Sequence, residues 1–361
     1  MKKVLIFNLT PRMGMLHYSA QFANELSKTH KVYVAIADYY DGFLYDKNIK
    51  LLKIRTNPSA ISFAFDSLAI WNQFRLRKEI KKIKPDIVHF MDNHPWYPFY
   101  IKICKRLWYK TYVTQHDPVL HSWDNKGLLW KVSLWINNSL RDNADLLIVN
   151  GDILKQQEIE LFHIDWDKII SVPHWNYNFF TKWWKWENPK NNHFLFFWRI
   201  SDYKWLDILL ESLDKVKKEI PDFKLIISWN WDITKHEKLL NKFEDNIEMF
   251  HYDIPDEEVY KYFEMSEFVV LPYKNATWSW VIPTAFAFSK PVITTNVWEL
   301  ATHVINKKSW LIIEPNNVEE LSNAIIWMLS NKEKVREMWK EWRKYTEEAL
   351  WWDKIIDKIY K

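Results

Sequence analysis

The stretch Phe194-Leu-Phe-Phe-Trp-Arg-Ile-Ser-Asp-Tyr-Lys-Trp-Leu206 organises the reading of this chain. Its apolar start fits a buried strand, and from Leu206 onward apolar residues recur at helical spacing. The loop between carries Arg199 and Lys204. A strand that runs into a helix aims the first helical N–H groups at such a loop, and the helix dipole favours negative charge there. Two cations in that place oppose the dipole unless an anion joins them, so the loop reads as an anion site. Trp198 and Trp205 stand where the backbone should approach the anion, which is a task for glycine.

Composition shows that this oddity is general. Ordinary usage is about 7% glycine, or roughly 25 residues in a chain of this size; the 361 residues here include 4 Gly and 24 Trp. Tryptophan occupies turn contexts throughout: Trp229 and Trp231 in Ser-Trp-Asn-Trp-Asp, Trp175 after Val-Pro-His, Trp278 and Trp280 around Ser279, and Trp310 after Lys-Lys-Ser. These are places where positive φ or a missing Cβ is useful. A residue other than glycine in the left-handed region costs about 1–2 kcal/mol. A dozen such sites would exhaust a typical stability of about 5–15 kcal/mol. Many of these tryptophans therefore read as glycine positions, as when UGA codons that specify glycine are translated as tryptophan.

Short apolar strands alternate with helical patterns along most of the chain. Strands are expected at Val4–Leu9, Lys31–Ala37, Asp86–Met91, Thr111–Gln115, Leu146–Asn150 and Ile169–Val172. A second series follows at Phe194–Trp198, Phe223–Ser228, Ile247–Phe250, Phe268–Pro272, Val292–Thr295 and Trp310–Ile313. Periodicity lapses between 175 and 192, a segment expected to be a linker. The pattern predicts an α/β chain of two Rossmann-like parallel-sheet domains, residues 1–174 and 193–340, facing across a cleft. Helices at 341–361 end the chain, the last expected to pack back on the first domain. Ligands of such sheets bind at the carboxyl ends of the strands, which points to the loops at 10–15, 91–95 and 115–123.

The second half resembles the retaining GT-B glycosyltransferases of family 4 (glycosyl transferases group 1). The resemblance rests on Phe197-Trp-Arg-Ile-Ser-Asp-Tyr-Lys-Trp-Leu-Asp207, Ile227-Ser-Trp-Asn-Trp-Asp232, Tyr252-Asp-Ile-Pro-Asp-Glu-Glu-Val259, Val269-Val-Leu-Pro-Tyr273 and Ala287-Phe-Ser-Lys-Pro-Val-Ile293, with tryptophan read as glycine. It extends more loosely over the first half. It implies sugar transfer from a nucleotide-diphosphate sugar, UDP- or GDP-linked, to a hydroxyl of a glycan or lipid-linked acceptor. The donor is a substrate, and no cofactor is expected.

In that family the two cations of the first loop hold the donor diphosphate, here Arg199 and Lys204. Thr277, Ser279 and Trp280, at a helix start after a strand, are expected to add N–H groups and hydroxyls to the same diphosphate. Ile254 and Thr284 fall at the nucleoside positions. Here the chain departs from the family, which has two glutamates eight apart where this sequence has Ala276 and Thr284. His116, in Thr-Gln-His-Asp-Pro, matches a histidine that contacts the donor sugar, and with Arg199 and Lys204 it completes the expected catalytic set. Gly14, His17 and His121 are expected on the acceptor side. Asp165-Trp-Asp167 has the form of a metal-binding Asp-x-Asp but reads as a turn, and no His/Cys cluster has metal spacing, so no metal is expected.

One cysteine, Cys104, excludes an intrachain disulfide and fits a reducing, cytoplasmic location. The net charge is +4. It is uneven, for residues 75–110 hold ten Lys/Arg against three Asp/Glu. That stretch is either a solvated face or a surface for peripheral contact with an anionic inner membrane face; no nucleic-acid partner is expected. Two other functions stay open at this point. One is a sugar-nucleotide epimerase of the same fold. The other is a non-catalytic carbohydrate-binding protein that stacks sugars on exposed tryptophans.

Overall fold

The computed structural model describes residues 1–10, 13–56, 70–116, 127–173, 177–185, 187–197, 206–229, 234–274, 279–297, 310–349 and 352–360. The chain divides into two compact units, Met1–Pro173 with Trp352–Lys361, and His174–Trp351.

In the first unit seven strands are described: β1 Lys3–Asn8, β2 Lys31–Ala37, β3 Lys50–Ile54, β4 Ile87–Phe90, β5 Lys110–Gln115, β6 Leu146–Asn150 and β7 Ile169–Val172. They form one parallel sheet in the order β3-β2-β1-β4-β5-β6-β7. Val4 to Phe7 are fully buried, because helices cover both faces of a parallel sheet and leave no polar side to alternate with. The chain runs outward from β1 to β3, then returns to β4 on the other flank of β1. Their carboxyl ends thus form the switch point of this sheet.

β3 was not among the expected strands. Its Lys-Leu-Leu-Lys-Ile pattern is half-buried at the sheet edge, where only β2 pairs with it, so cations are tolerated on its open side. The expected loop at 10–15 is also shorter than predicted. A helix spans Met13–Leu26 and takes in Gly14 and His17. No residue from Met13 to Met15 blocks a helix, and glycine is tolerated near a helix end.

The helix Trp352–Tyr360 belongs to this unit although it ends the chain. Trp352, Ile355, Ile356, Ile359 and Tyr360 recur at helical spacing and are buried, each worth about 1.5–3 kcal/mol of apolar burial. Trp352 packs on Tyr18 and Phe22 at ring separations of 6.1 and 6.0 Å. The Tyr360 hydroxyl meets His89 Nδ1 at 2.7 Å, and His89 Nε2 meets Thr114 Oγ1 at 2.7 Å. Burial, with a smaller push from His116, lowers the His89 pKa to about 3, so the ring is a neutral hydrogen-bonding bridge.

Six strands are described in the second unit: β8 His193–Phe197, β9 Lys224–Trp229, β10 Ile247–His251, β11 Phe268–Leu271, β12 Val292–Thr295 and β13 Trp310–Ile313. Their parallel order is β10-β9-β8-β11-β12-β13. Alternate side chains feed two cores. Phe194 and Phe196 join the helix Leu206–Glu219 and the helix Val318–Ser330 on one face. Leu195 and Phe197 join the helix Val259–Met265 and the helix Val281–Ala287 on the other. This is the two-residue period of a strand buried on both sides. Tyr177 and Phe180, from the stretch expected as a linker, are buried in the second of these cores.

Candidate active site

Each unit presents a switch point where its strand order reverses. In the first unit the loops leaving β1, β4 and β5 meet. Asp92 follows β4 and is buried. Its Oδ2 accepts the Thr10 N–H at 2.6 Å, and its Oδ1 accepts the Tyr97 hydroxyl. The Tyr97 oxygen in turn accepts the Leu9 N–H at 2.8 Å. Thr10 Oγ1 donates to the Asn93 carbonyl at 3.0 Å. Two loops from opposite sides of the switch point are therefore clamped together. Burial pushes the Asp92 carboxyl up to about 6, against the lowering effect of these donors. His94, also buried, is pushed down to about 3.

His116 ends this cluster, just past β5. Its Nε2 lies 3.2 Å from the Met91 carbonyl, to which it can only donate. The edge of the ring meets Tyr18 at 5.0 Å. His17 is buried on the helix Met13–Leu26, and Gly14 lies in the first turn of that helix, half-buried. Asp92 was not singled out in the sequence, although its loop was. The available signal is a carboxylate just after a buried strand, in a loop expected to meet ligand.

In the second unit β8 ends at Phe197 and its helix begins at Leu206, beside β11 at the switch point. Arg199 and Lys204 lie in the intervening sequence, outside the described residues, as do Thr277, Ala276 and His121. Ser279 is described. It is buried, with Oγ 2.7 Å from the Tyr273 hydroxyl and 3.3 Å from the Val281 N–H that it accepts. Trp280 packs edge-on against Tyr177 at 5.5 Å. Thr284 is buried and its hydroxyl donates to the Trp280 carbonyl at 2.9 Å. Ile254, half-buried after β10, packs on the core that includes Val259 and Tyr262.

Asp165 is exposed beside a single turn, Trp166–Lys168, and pairs with Lys168 at 2.6 Å. Among the described residues no group of three His, Cys, Asp or Glu is placed to hold a metal.

Residues 14–175 match the model of Glycosyltransferase Family 4, and residues 181–347 match that of Glycosyl transferases group 1. An uncharacterized glycosyltransferase of Methanocaldococcus jannaschii is 24% identical over 167 residues. That match spans 44% of this chain and 44% of the relative's length. Among solved structures, sucrose-phosphate synthase from Thermosynechococcus elongatus superimposes with a TM-score of 0.75 at 16% identity, covering 99% of this chain and 97% of that one. HepE of Anabaena, crystallised with UDP, gives 0.73 at 13% identity, covering 99% and 98%. Matched through both halves and sharing the two-sheet architecture of these structures, the chain belongs to the GT-B glycosyltransferases of family 4.

Proposed function

We propose that the protein moves a sugar from a nucleotide-diphosphate sugar to a hydroxyl of a glycan or lipid-linked acceptor, with retention and without a metal. The observation that carries the reading is the match of both halves to glycosyltransferase models, with the cation pair Arg199 and Lys204 between β8 and its helix. UDP is the favoured donor base, in line with HepE, which was crystallised with UDP and with UDP-glucose.

In this reading Arg199 and Lys204 hold the donor diphosphate and offset the negative charge that grows on it as the bond to the sugar breaks. Thr277, Ser279 and the N–H groups from Trp280 onward add to that cradle. Ser279 Oγ accepts from Val281 at 3.3 Å and shares a hydrogen bond with the Tyr273 hydroxyl in which either oxygen can donate; when Tyr273 donates, the serine proton can serve a phosphate oxygen. Thr284 has its hydroxyl proton committed to the Trp280 carbonyl, so it offers the ribose only an acceptor oxygen, a weaker partner than the family's glutamate. Ile254 lies against the nucleobase. His116 faces the donor sugar, while Gly14, His17 and His121 border the acceptor.

The exposed cations of the helix Ile70–Ile83, namely Arg75, Arg77, Lys78, Lys81 and Lys82, form a surface for an anionic membrane, with Phe74 beside them at 60% exposure. Such contact is peripheral, at the cytoplasmic face; among the described residues no helix is long and apolar enough to cross a membrane.

The test is binding. UDP or GDP raises the melting temperature of the wild-type chain, and Arg199→Ala and Lys204→Ala lose that rise. An unchanged rise in both variants moves the donor site elsewhere.

A further inference from the structure

The second unit contains a cavity of about 510 Å3 that neither switch point nor donor chemistry accounts for. It lies between the segment around Glu187, the turn Phe288–Lys290 and the helix Lys332–Ala349. That turn closes the helix Val281–Ala287 through bonds from Lys290 N–H to the Ala285 carbonyl at 2.8 Å and from Ser289 N–H to the Phe286 carbonyl at 2.9 Å. With Ser289 left-handed at φ 54° and Pro291 following, the backbone at Lys290 is tightly constrained.

Lys290 is only 3% exposed. Its ammonium stands 4.7 Å over the Trp339 ring. Among the described residues no hydrogen bond or ion pair engages it. The two carboxylates that attract it serve other groups: Glu264 accepts the Glu187 N–H at 2.8 Å, while Glu267 accepts the Asn192 N–H at 3.3 Å and binds Lys332. Their attraction does not offset burial, which pushes the amine down to about 7. Arg336 and Lys340 also line the cavity, four apart on one face of their helix, and the lining residues include a single carboxylate, Glu187. Like charges four apart destabilise a helix, and a buried amine without an acceptor carries a desolvation penalty. A ligand with two negative charges and several acceptor oxygens relieves both.

We propose that this cavity is a second anion site that takes a phosphoryl group, borne either by a free metabolite or by a lipid headgroup, with Lys290 as its buried anchor and Arg336 and Lys340 at its mouth.

The test uses the full chain with UDP at saturation, so that phosphate does not compete for the proposed donor loop. Sodium phosphate is titrated at constant ionic strength against the melting temperature of wild type, Lys290→Met and the Arg336→Ala/Lys340→Ala pair. The expected result is a rise in wild type and at least a roughly tenfold loss of phosphate affinity in both variants. Lys290→Met also melts higher than wild type without phosphate, since it removes a desolvated charge, and so reports an intact fold. In parallel, flotation with vesicles containing phosphatidic acid, whose headgroup is a phosphomonoester, compares the same proteins. A phosphate response that depends on these residues assigns a free metabolite. Vesicle binding that depends on them, without a phosphate response, assigns a headgroup. Equal responses of wild type and both variants in both assays overturn the site. Absence of a UDP shift bears on the donor reading alone, because the variants are still compared in phosphate.

Discussion

Asp92 Oδ2 accepts the Thr10 N–H at 2.6 Å, which ties the loop leaving β1 to the loop leaving β4 across the switch point of the first sheet. Because burial raises this carboxyl to about 6 from 3.8, the folded chain binds more protons than the unfolded one between these values. Its stabilising contribution is therefore full below about pH 4 and is lost as pH rises through about 6, up to roughly 3 kcal/mol in all. Asp92→Asn cannot ionise and removes that slope. Urea unfolding at pH 5 and pH 7.5 checks this, and parallel changes in wild type and variant would refute it. Asp92→Ala leaves the Thr10 N–H and the Tyr97 hydroxyl without their acceptor and costs about 1–3 kcal/mol at either pH.

Trp108 ends the helix Tyr97–Arg106 in the left-handed region, φ 62°, at 94% exposure. Its N–H reaches the Lys105 carbonyl at 3.0 Å and the Tyr109 N–H reaches Cys104 at 3.1 Å. This is the paired-bond helix stop whose left-handed residue is usually glycine. An indole in solvent adds nothing to offset the strain, so Trp108→Gly is expected to stabilise the chain by about 1 kcal/mol. A higher urea midpoint is the readout, and a lower one counts against the glycine reading of this position. Intact mass of the natively expressed protein tests the wider proposal, since a mass matching 24 Trp excludes it.

Tyr360→Phe deletes the hydroxyl 2.7 Å from His89 Nδ1 and leaves a buried ring nitrogen unmatched. The expected cost is about 1–3 kcal/mol. Amide exchange should quicken first in Trp352–Tyr360, because this helix is held to the first unit by its own apolar face. Protection unchanged in that helix would show that the bond to His89 adds little.

Neutralising Lys78, Lys81 and Lys82 to Gln tests the membrane surface. Each cation near an anionic bilayer is worth about 1 kcal/mol, so the triple variant should partition roughly a hundredfold more weakly onto phosphatidylglycerol vesicles. Wild-type binding should also fall steeply with salt. Salt-independent binding, or binding indifferent to the substitutions, would leave the helix as a solvated face.

Much of the architecture is legible locally. Strands such as Lys31–Ala37 and Leu146–Asn150 stand where their apolar runs predict, because a strand buried on both faces is built mostly of apolar side chains. β3 escaped that logic: at an edge, two lysines can remain without a desolvation penalty. The helix that carries His17 is expected from His17 onward, and only its first turn, residues 13–16, escapes the pattern, since a glycine marks a turn and a tolerated helix end equally well. For the candidate site, the pattern points to loops, not to the contacts between them. His116 was visible as a motif residue, whereas the Asp92 clamp joins residues 82 apart in sequence.

The sequence by itself determined the two α/β units and the strand positions within them, because those features follow from patterns a few residues long. Only the tertiary structure decided the strand order and the clamp of Thr10 by Asp92. It alone brings Tyr360 to His89, 271 residues away, and buries Lys290 beneath the cations of a later helix. These depend on which distant groups share a low-dielectric space, where hydrogen bonds and desolvation are worth most and where no local pattern records the partner.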